Sequence, residues 1–131
     1  MSRKSKGSNA ERDLIHKFWE YRWAAVRVAG SGSNKYPSPD LVVGKDQTRF
    51  VIECKAVKER YKYFTKNEIN DLRIFSEIFG AEALVAVKFN NVPWRFLKIE
   101  HLIEKNKSFF VDLAQLTKTG VLFEELIQHQ P

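Results

Sequence analysis

Cysteine is almost missing from this sequence: Cys54 is the only one in 131 residues. That excludes an internal disulfide and any zinc site built from several cysteines, and it suits a reducing compartment. Long apolar runs are missing too, and no stretch approaches the roughly 20 apolar residues that span a bilayer. The basic start Met1-Ser2-Arg3-Lys4-Ser5-Lys6-Gly7 has no apolar run behind it, so it fails as a secretory signal. Internal repeats, low-complexity blocks and long linkers are lacking as well. The expectation is one soluble, cytoplasmic domain with no membrane partner.

What is present is positive charge. Lys and Arg number 22 against 16 Asp and Glu, a formal balance of +6. Such a field attracts phosphate backbones without selecting a sequence, so nucleic acid is the leading partner class.

Ser8-Asn9-Ala10-Glu11 matches the S-x-x-E capping box and predicts a helix start, with Leu14, Ile15, Phe18 and Trp19 forming one core-facing stripe. Glu11 lies at the inner end of that stripe, an odd place for a solvated charge. Residues 23–28 read as a strand, followed by a loop of turn formers at 30–39. Asp40 opens a second strand, residues 44–47 turn, and residues 49–57 form a third, so the last two make a hairpin whose apolar character implies burial on both faces. A second capping box, Thr65-Lys66-Asn67-Glu68, starts a helix that runs through Leu72, Phe75 and Phe79 to Gly80. Residues 83–89 and 94–98 read as two more strands, 102–110 is ambiguous, and 121–128 reads as a short helix. The order predicts an α/β fold, a mixed sheet with helices on its faces.

Asp40 and Glu53 lie on the two strands of the hairpin and can meet across it. Lys55 follows Glu53 by two residues, so both project from one face while Ile52, Cys54 and Ala56 take the other. Two carboxylates about 4 Å apart repel by roughly 4 kcal/mol at an effective dielectric of 20, and adding Glu11 worsens this. A cation resolves it, and all-oxygen ligation favours Mg2+, with Mn2+ as a substitute, over zinc. Such an ion polarises a phosphodiester while Lys55 orients water and neutralises developing charge, which is the chemistry of phosphodiester hydrolysis. Each residue also has a plainer reading: Asp40 as a turn residue after Pro39, Glu53 and Lys55 as solvated positions on an edge strand, and Glu11 as a capping acid.

Together, Asn9-Ala10-Glu11-Arg12 opening a helix, Ala25-Val26-Arg27, Ser31-Gly32-Ser33, Pro39-Asp40, Ile52-Glu53-Cys54-Lys55, Ala86-Val87-Lys88-Phe89 and Trp94-Arg95-Phe96 resemble the archaeal Holliday junction resolvases Hjc and Hje, of the PD-(D/E)xK nuclease type. The resemblance runs from about Arg3 to Phe96. It implies a restriction-endonuclease-like fold, a homodimer, and Mg2+-dependent nicking of two strands of a four-way DNA junction. By resemblance, Glu11, Asp40 and Glu53 are metal ligands and Lys55 is the catalytic lysine, while Arg12, Arg27 and Ser31 join the catalytic set. Cys54 departs from the apolar residue common there, but it faces away from Lys55. The implied organisation is a flexible basic tail at 1–7 and one nuclease domain at 8–131.

Arg3, Lys4 and Lys6, with Arg12, Arg27 and Lys35, are the candidate DNA contacts, and Ile74, Phe75, Ile78, Phe79, Trp94 and Phe96 are candidates for either core or dimer contact. A restriction or repair nuclease of the same type, or a non-catalytic architectural DNA-binding module, also fits the charge and pattern.

Overall fold

A computed structural model gives the backbone of residues 3–8 and the complete residues 9–29 and 35–128. Helix α1 spans Arg3–Glu20 and is followed by β1 (Ala24–Arg27), β2 (Leu41–Lys45), β3 (Thr48–Val57) and β4 (Tyr61–Thr65). Helix α2 (Lys66–Phe79) leads to β5 (Glu82–Phe89), β6 (Arg95–Lys98), a 3-10 turn at Ile99–His101, β7 (Ile103–Lys105) and β8 (Ser108–Asp112). Helix α3 (Leu113–Thr119), β9 (Val121–Leu122) and α4 (Phe123–Gln128) complete the order. The strands form a six-stranded mixed sheet, β1-β2-β3-β5-β6-β9, and a three-stranded sheet, β4-β8-β7.

Strand β3 lies inside the large sheet, antiparallel to β2 and parallel to β5. Phe50, Val51 and Ile52 are buried in succession, which is why this stretch is apolar without alternation. Its even residues join Leu14, Phe18, Trp23, Phe96 and Phe123 in the core under α1 and α4. There Trp23 stacks on Phe50 with ring centroids 5.7 Å apart. Its odd residues face the second core, where Val51 and Val85 meet Ile69 and Leu72 of α2, Phe64 of β4 and Leu116 of α3. Burying each such side chain contributes about 1.5–3 kcal/mol, so both helix layers are held by apolar contact.

The predicted mixed sheet with helices on its faces is what the chain forms, with several local differences. Helical backbone begins at Arg3 and not at Ser8, so the segment read as a flexible tail is helical from Arg3 onward. Trp19 is 54% exposed and is not part of the core stripe; its indole N–H donates to the Ala25 carbonyl at 3.0 Å. Of the six side chains left between core and surface, Phe96 is core and Ile78 is 84% exposed. The small sheet and α3 were not foreseen. Among the described residues, no helix is long and apolar enough to cross a membrane.

Helix α2 starts at the predicted capping box. The Thr65 hydroxyl accepts from the Glu68 amide, and the Glu68 carboxylate accepts from the Thr65 amide, both at 3.0 Å. It ends at Gly80, whose φ of 82° is the left-handed conformation glycine adopts without a steric penalty.

Candidate active site

Local backbone geometry fixes the first carboxylate. The β2–β3 register runs to Leu41↔Ile52, and at Asp40 the chain leaves the ladder. Asp40 therefore precedes β2, which starts one residue later than expected. Its amide donates to the Ile52 carbonyl at 3.1 Å and its carbonyl accepts from Val28 at 2.8 Å. At this bend the Cys54 amide donates to Asp40 Oδ2 at 2.9 Å. A buried N–H left without an acceptor costs about 1–3 kcal/mol, so the strand end itself holds this carboxylate in place.

Glu53 and Lys55 project from the α2-facing side of β3, as the strand alternation requires. Lys55 Nζ stands 3.6 Å from Glu53 Oε2 and 3.1 Å from Glu68 Oε2, at the start of α2. Glu11 reaches the same end of the sheet from α1, and its Oε1 accepts from Arg27 Nε at 3.3 Å.

The electrostatics show how crowded this negative charge is. Burial, and next the charge of Asp40, pushes the Glu53 carboxyl up to about 8. The Lys55 ammonium at 3.6 Å opposes that rise without cancelling it, so the site disfavours a second bare carboxylate. Glu11 is also raised, by burial first and by Asp40 second, with Arg27 opposing. Burial pulls Lys55 down, but Glu68 and then Glu53 outweigh it and its pKa ends raised. Burial pushes Glu68 up, yet the Thr65 amide and Lys55 leave it lowered. Burial raises the Cys54 thiol far above its usual range, in keeping with an inert core thiol.

Asp40, Glu53 and Lys55 are thus together, with Glu11 and Arg27 beside them. Among the described residues, no group of three or more His, Cys, Asp and Glu side chains is arranged as a ready-made metal cage. Glu11 is turned to Arg27, a compensation for carboxylate repulsion that sequence reading had assigned wholly to a cation. Arg12 lies on the exposed side of α1, donating to Asn9 Oδ1 at 3.3 Å. Lys35 lies over the ring of Tyr36, 5.8 Å from its centroid. Ser31 lies outside the described residues, as do the side chains of Arg3, Lys4 and Lys6. Glu68 is the contact that sequence reading missed. Its capping box was legible, but not that β4 turns the chain back so that this acid meets Lys55.

Against known proteins, the family model described as archaeal Holliday junction resolvase (Hjc) matches residues 2–130. The crossover junction endodeoxyribonuclease Hjc of Archaeoglobus fulgidus is 43% identical over 109 residues, 83% of this chain and 80% of that one. The crossover junction endodeoxyribonuclease Hje of Saccharolobus islandicus is 34% identical over 94 residues, 70% of each chain. The solved structure of the A. fulgidus Hjc, a Holliday junction resolvase, superposes with a TM-score of 0.85 at 38% identity, covering 92% of this chain and 98% of that one.

Proposed function

Because the chain belongs to the archaeal Holliday junction resolvase family, we propose that it is a crossover junction endonuclease that uses Mg2+ to nick two strands of a four-way DNA junction symmetrically. The observation that carries the chemistry is the Asp40–Glu53 pair with Lys55 at its side. Two carboxylates with too little counter-charge to offset the burial of Glu53 and the repulsion of Asp40 suit a divalent cation. Magnesium is commonly held by one or two carboxylates, with water and substrate phosphate completing its sphere, and Asp40 with Glu53 supplies that number.

Asp40 and Glu53 would hold the ion, and Glu11 would enter its sphere only on releasing Arg27. When bound, the ion supplies Lewis-acid stabilisation of the charge that develops on the phosphodiester. Lys55 places an ammonium beside the scissile phosphate, orients the attacking water and neutralises charge as it forms. Arg27, next to the acids, and Arg12, on the outer side of α1, would contact backbone phosphates, which set position without reading sequence. Arg3, Lys4, Lys6 and Lys35 extend the same role, and Ser31 is assigned to the catalytic loop by family resemblance alone. The free, buried Cys54 suits a cytoplasmic setting.

The deciding test compares a four-way junction with a linear duplex of the same sequence, with Mg2+, with Mn2+ and with chelator. The expected result is nicking of the junction alone, in either metal and in neither chelated sample. Equal rates on both substrates would instead mark a nuclease of restriction or repair type, and binding without cutting would mark an architectural protein.

Paired cuts on a two-fold substrate call for two identical sites, which a symmetric dimer supplies. The outer face of α2 supports such a contact: Ile78 is 84% and Phe79 46% exposed, beside the Phe75 ring at 5.5 Å from that of Phe79. Ile78→Glu is expected to halve the mass measured by light scattering and to turn paired cuts in a cruciform plasmid into single nicks. A variant that keeps the parent mass and product would remove this face from the dimer.

A further inference from the structure

Lys55 makes the shorter of its two ion pairs with a residue that nothing above assigns to the chemistry. Lys55 Nζ is 3.1 Å from Glu68 Oε2, closer than the 3.6 Å to Glu53, its neighbour on the same strand face. The two oxygens of Glu68 have separate tasks. Oε1 accepts from the Thr65 amide at 3.0 Å, while Oε2 takes the lysine. The carboxylate is therefore fixed in rotamer by the helix cap, lies in the first turn where the helix dipole favours negative charge, and is 31% exposed at its side chain. A flexible ammonium leaning on it inherits that fixed position.

We infer that Glu68 is a positioning residue of the nuclease: anchored at the start of α2, it holds the Lys55 ammonium beside the Asp40–Glu53 pair and leaves Glu53 free for the cation. This rests on the nuclease reading above. Without Glu68, the nearest remaining acid to Lys55 is Glu53, and the lysine then competes with the ion for that carboxylate. With it, lysine and ion have separate anions, and both reach the phosphate at once. The sheet topology makes this possible, because β4 returns the chain so that α2 begins over the Lys55 end of β3.

A helix-capping role and a positioning role make opposite demands on two variants. Glu68→Gln keeps the capping box, since glutamine serves at that position as glutamate does, but removes the anion from Lys55. Thr65→Ala breaks the cap from the other side and leaves the Lys55–Glu68 pair and the Thr65 amide intact. The experiment measures single-turnover junction cleavage, junction affinity in Ca2+, Mn2+ affinity by calorimetry, and thermal midpoint for the parent and both variants.

For Glu68→Gln the expected cleavage rate falls by about 10- to 100-fold, the range that misplacing a catalytic group costs. Its Mn2+ affinity weakens several-fold, while junction affinity and midpoint stay near the parent's. For Thr65→Ala the midpoint drops by roughly 3–8 °C and cleavage below that temperature is unchanged. In a Lys55→Ala background, Glu68→Gln should cost nothing more, since the lysine it positions is gone. A Glu68→Gln protein that cuts and binds Mn2+ like the parent would overturn the inference. A parent that cuts no junction under any metal would overturn the nuclease reading first, an outcome distinct from equal parent and variant rates.

Discussion

Asp40→Asn should lower the single-turnover rate of junction cleavage by at least about a thousand-fold while leaving junction affinity within a few-fold of the parent's. That magnitude follows from the proposed site, in which Asp40 is one of two carboxylates that would hold the cation and electrostatic stabilisation would supply most of the acceleration. Affinity should survive because, on the proposed reading, basic groups elsewhere make the phosphate contacts that set binding. Asparagine is chosen with the fold in mind, since its Oδ1 can still accept from the Cys54 amide that Asp40 Oδ2 accepts from at 2.9 Å. Asp40→Ala should be equally inactive but also less stable by about 1–3 kcal/mol, because that amide then loses its acceptor. The pair separates chemistry from folding. Glu53→Ala is expected to match Asp40→Asn in activity, and cleavage retained at more than a tenth of the parent rate in either would remove these residues from the site.

The second large effect is on stability and concerns Glu53. Its carboxyl is held near 8 in the folded protein against 4.5 for an unperturbed glutamate. The folded state therefore binds this proton more tightly than the unfolded chain does, and the stability it contributes is complete below about pH 4.5 and is lost as pH rises through about 8. The upper limit for the loss is about 5 kcal/mol, from a shift of that size at 1.36 kcal/mol per unit. Glu11 is raised as well and adds in the same direction. In chelator, denaturant midpoints of the parent should thus fall between pH 5 and 8, and Glu53→Gln should flatten the slope and be the more stable protein at pH 8. Adding Mg2+ at pH 8 should recover stability in the parent and little in Glu53→Gln. A parent profile as flat as the variant's would show that Glu53 does not bear the strain placed on it here.

Those expectations rest on residues that could be read from the chain itself, and the reasons are local. Strand alternation put Glu53 and Lys55 on one face, and the short turn put Asp40 near them, because both are rules of neighbouring positions. Capping boxes have the same character, which is why the start of α2 was found at Thr65. The missed elements depend on partners far along the chain. Strand β4 exists because Tyr61–Thr65 pairs with Ser108–Asp112, a match that no local periodicity announces. Helix α3 did carry a local signal, Asp112 capping the Gln115 amide at 2.8 Å, but it followed a segment whose pattern was ambiguous. Trp19 was misplaced because periodicity counts a tryptophan as apolar, whereas its ring lies at the rim and spends its N–H on Ala25. The site departs from expectation for a related reason. Spacing brings acids together, but it does not say that Glu11 turns to Arg27 or that Lys55 prefers Glu68 to Glu53.

The parallel pairing of β3 with β5 bears on the order in which this molecule acquires its parts. The β2–β3 hairpin closes through two residues, Asp46 and Gln47, with Asp46 at a φ of 54° that aspartate tolerates. Such a closure takes microseconds and brings Asp40 and Glu53 into proximity almost at once. The β3–β5 ladder, by contrast, closes a far larger loop, since β4 and α2 lie between its two strands, and is expected to form later. Glu68 is expected to reach Lys55 only with that ladder. In kinetic terms the two acids are expected to meet before the crossover that docks α2 supplies the charge balance of the site.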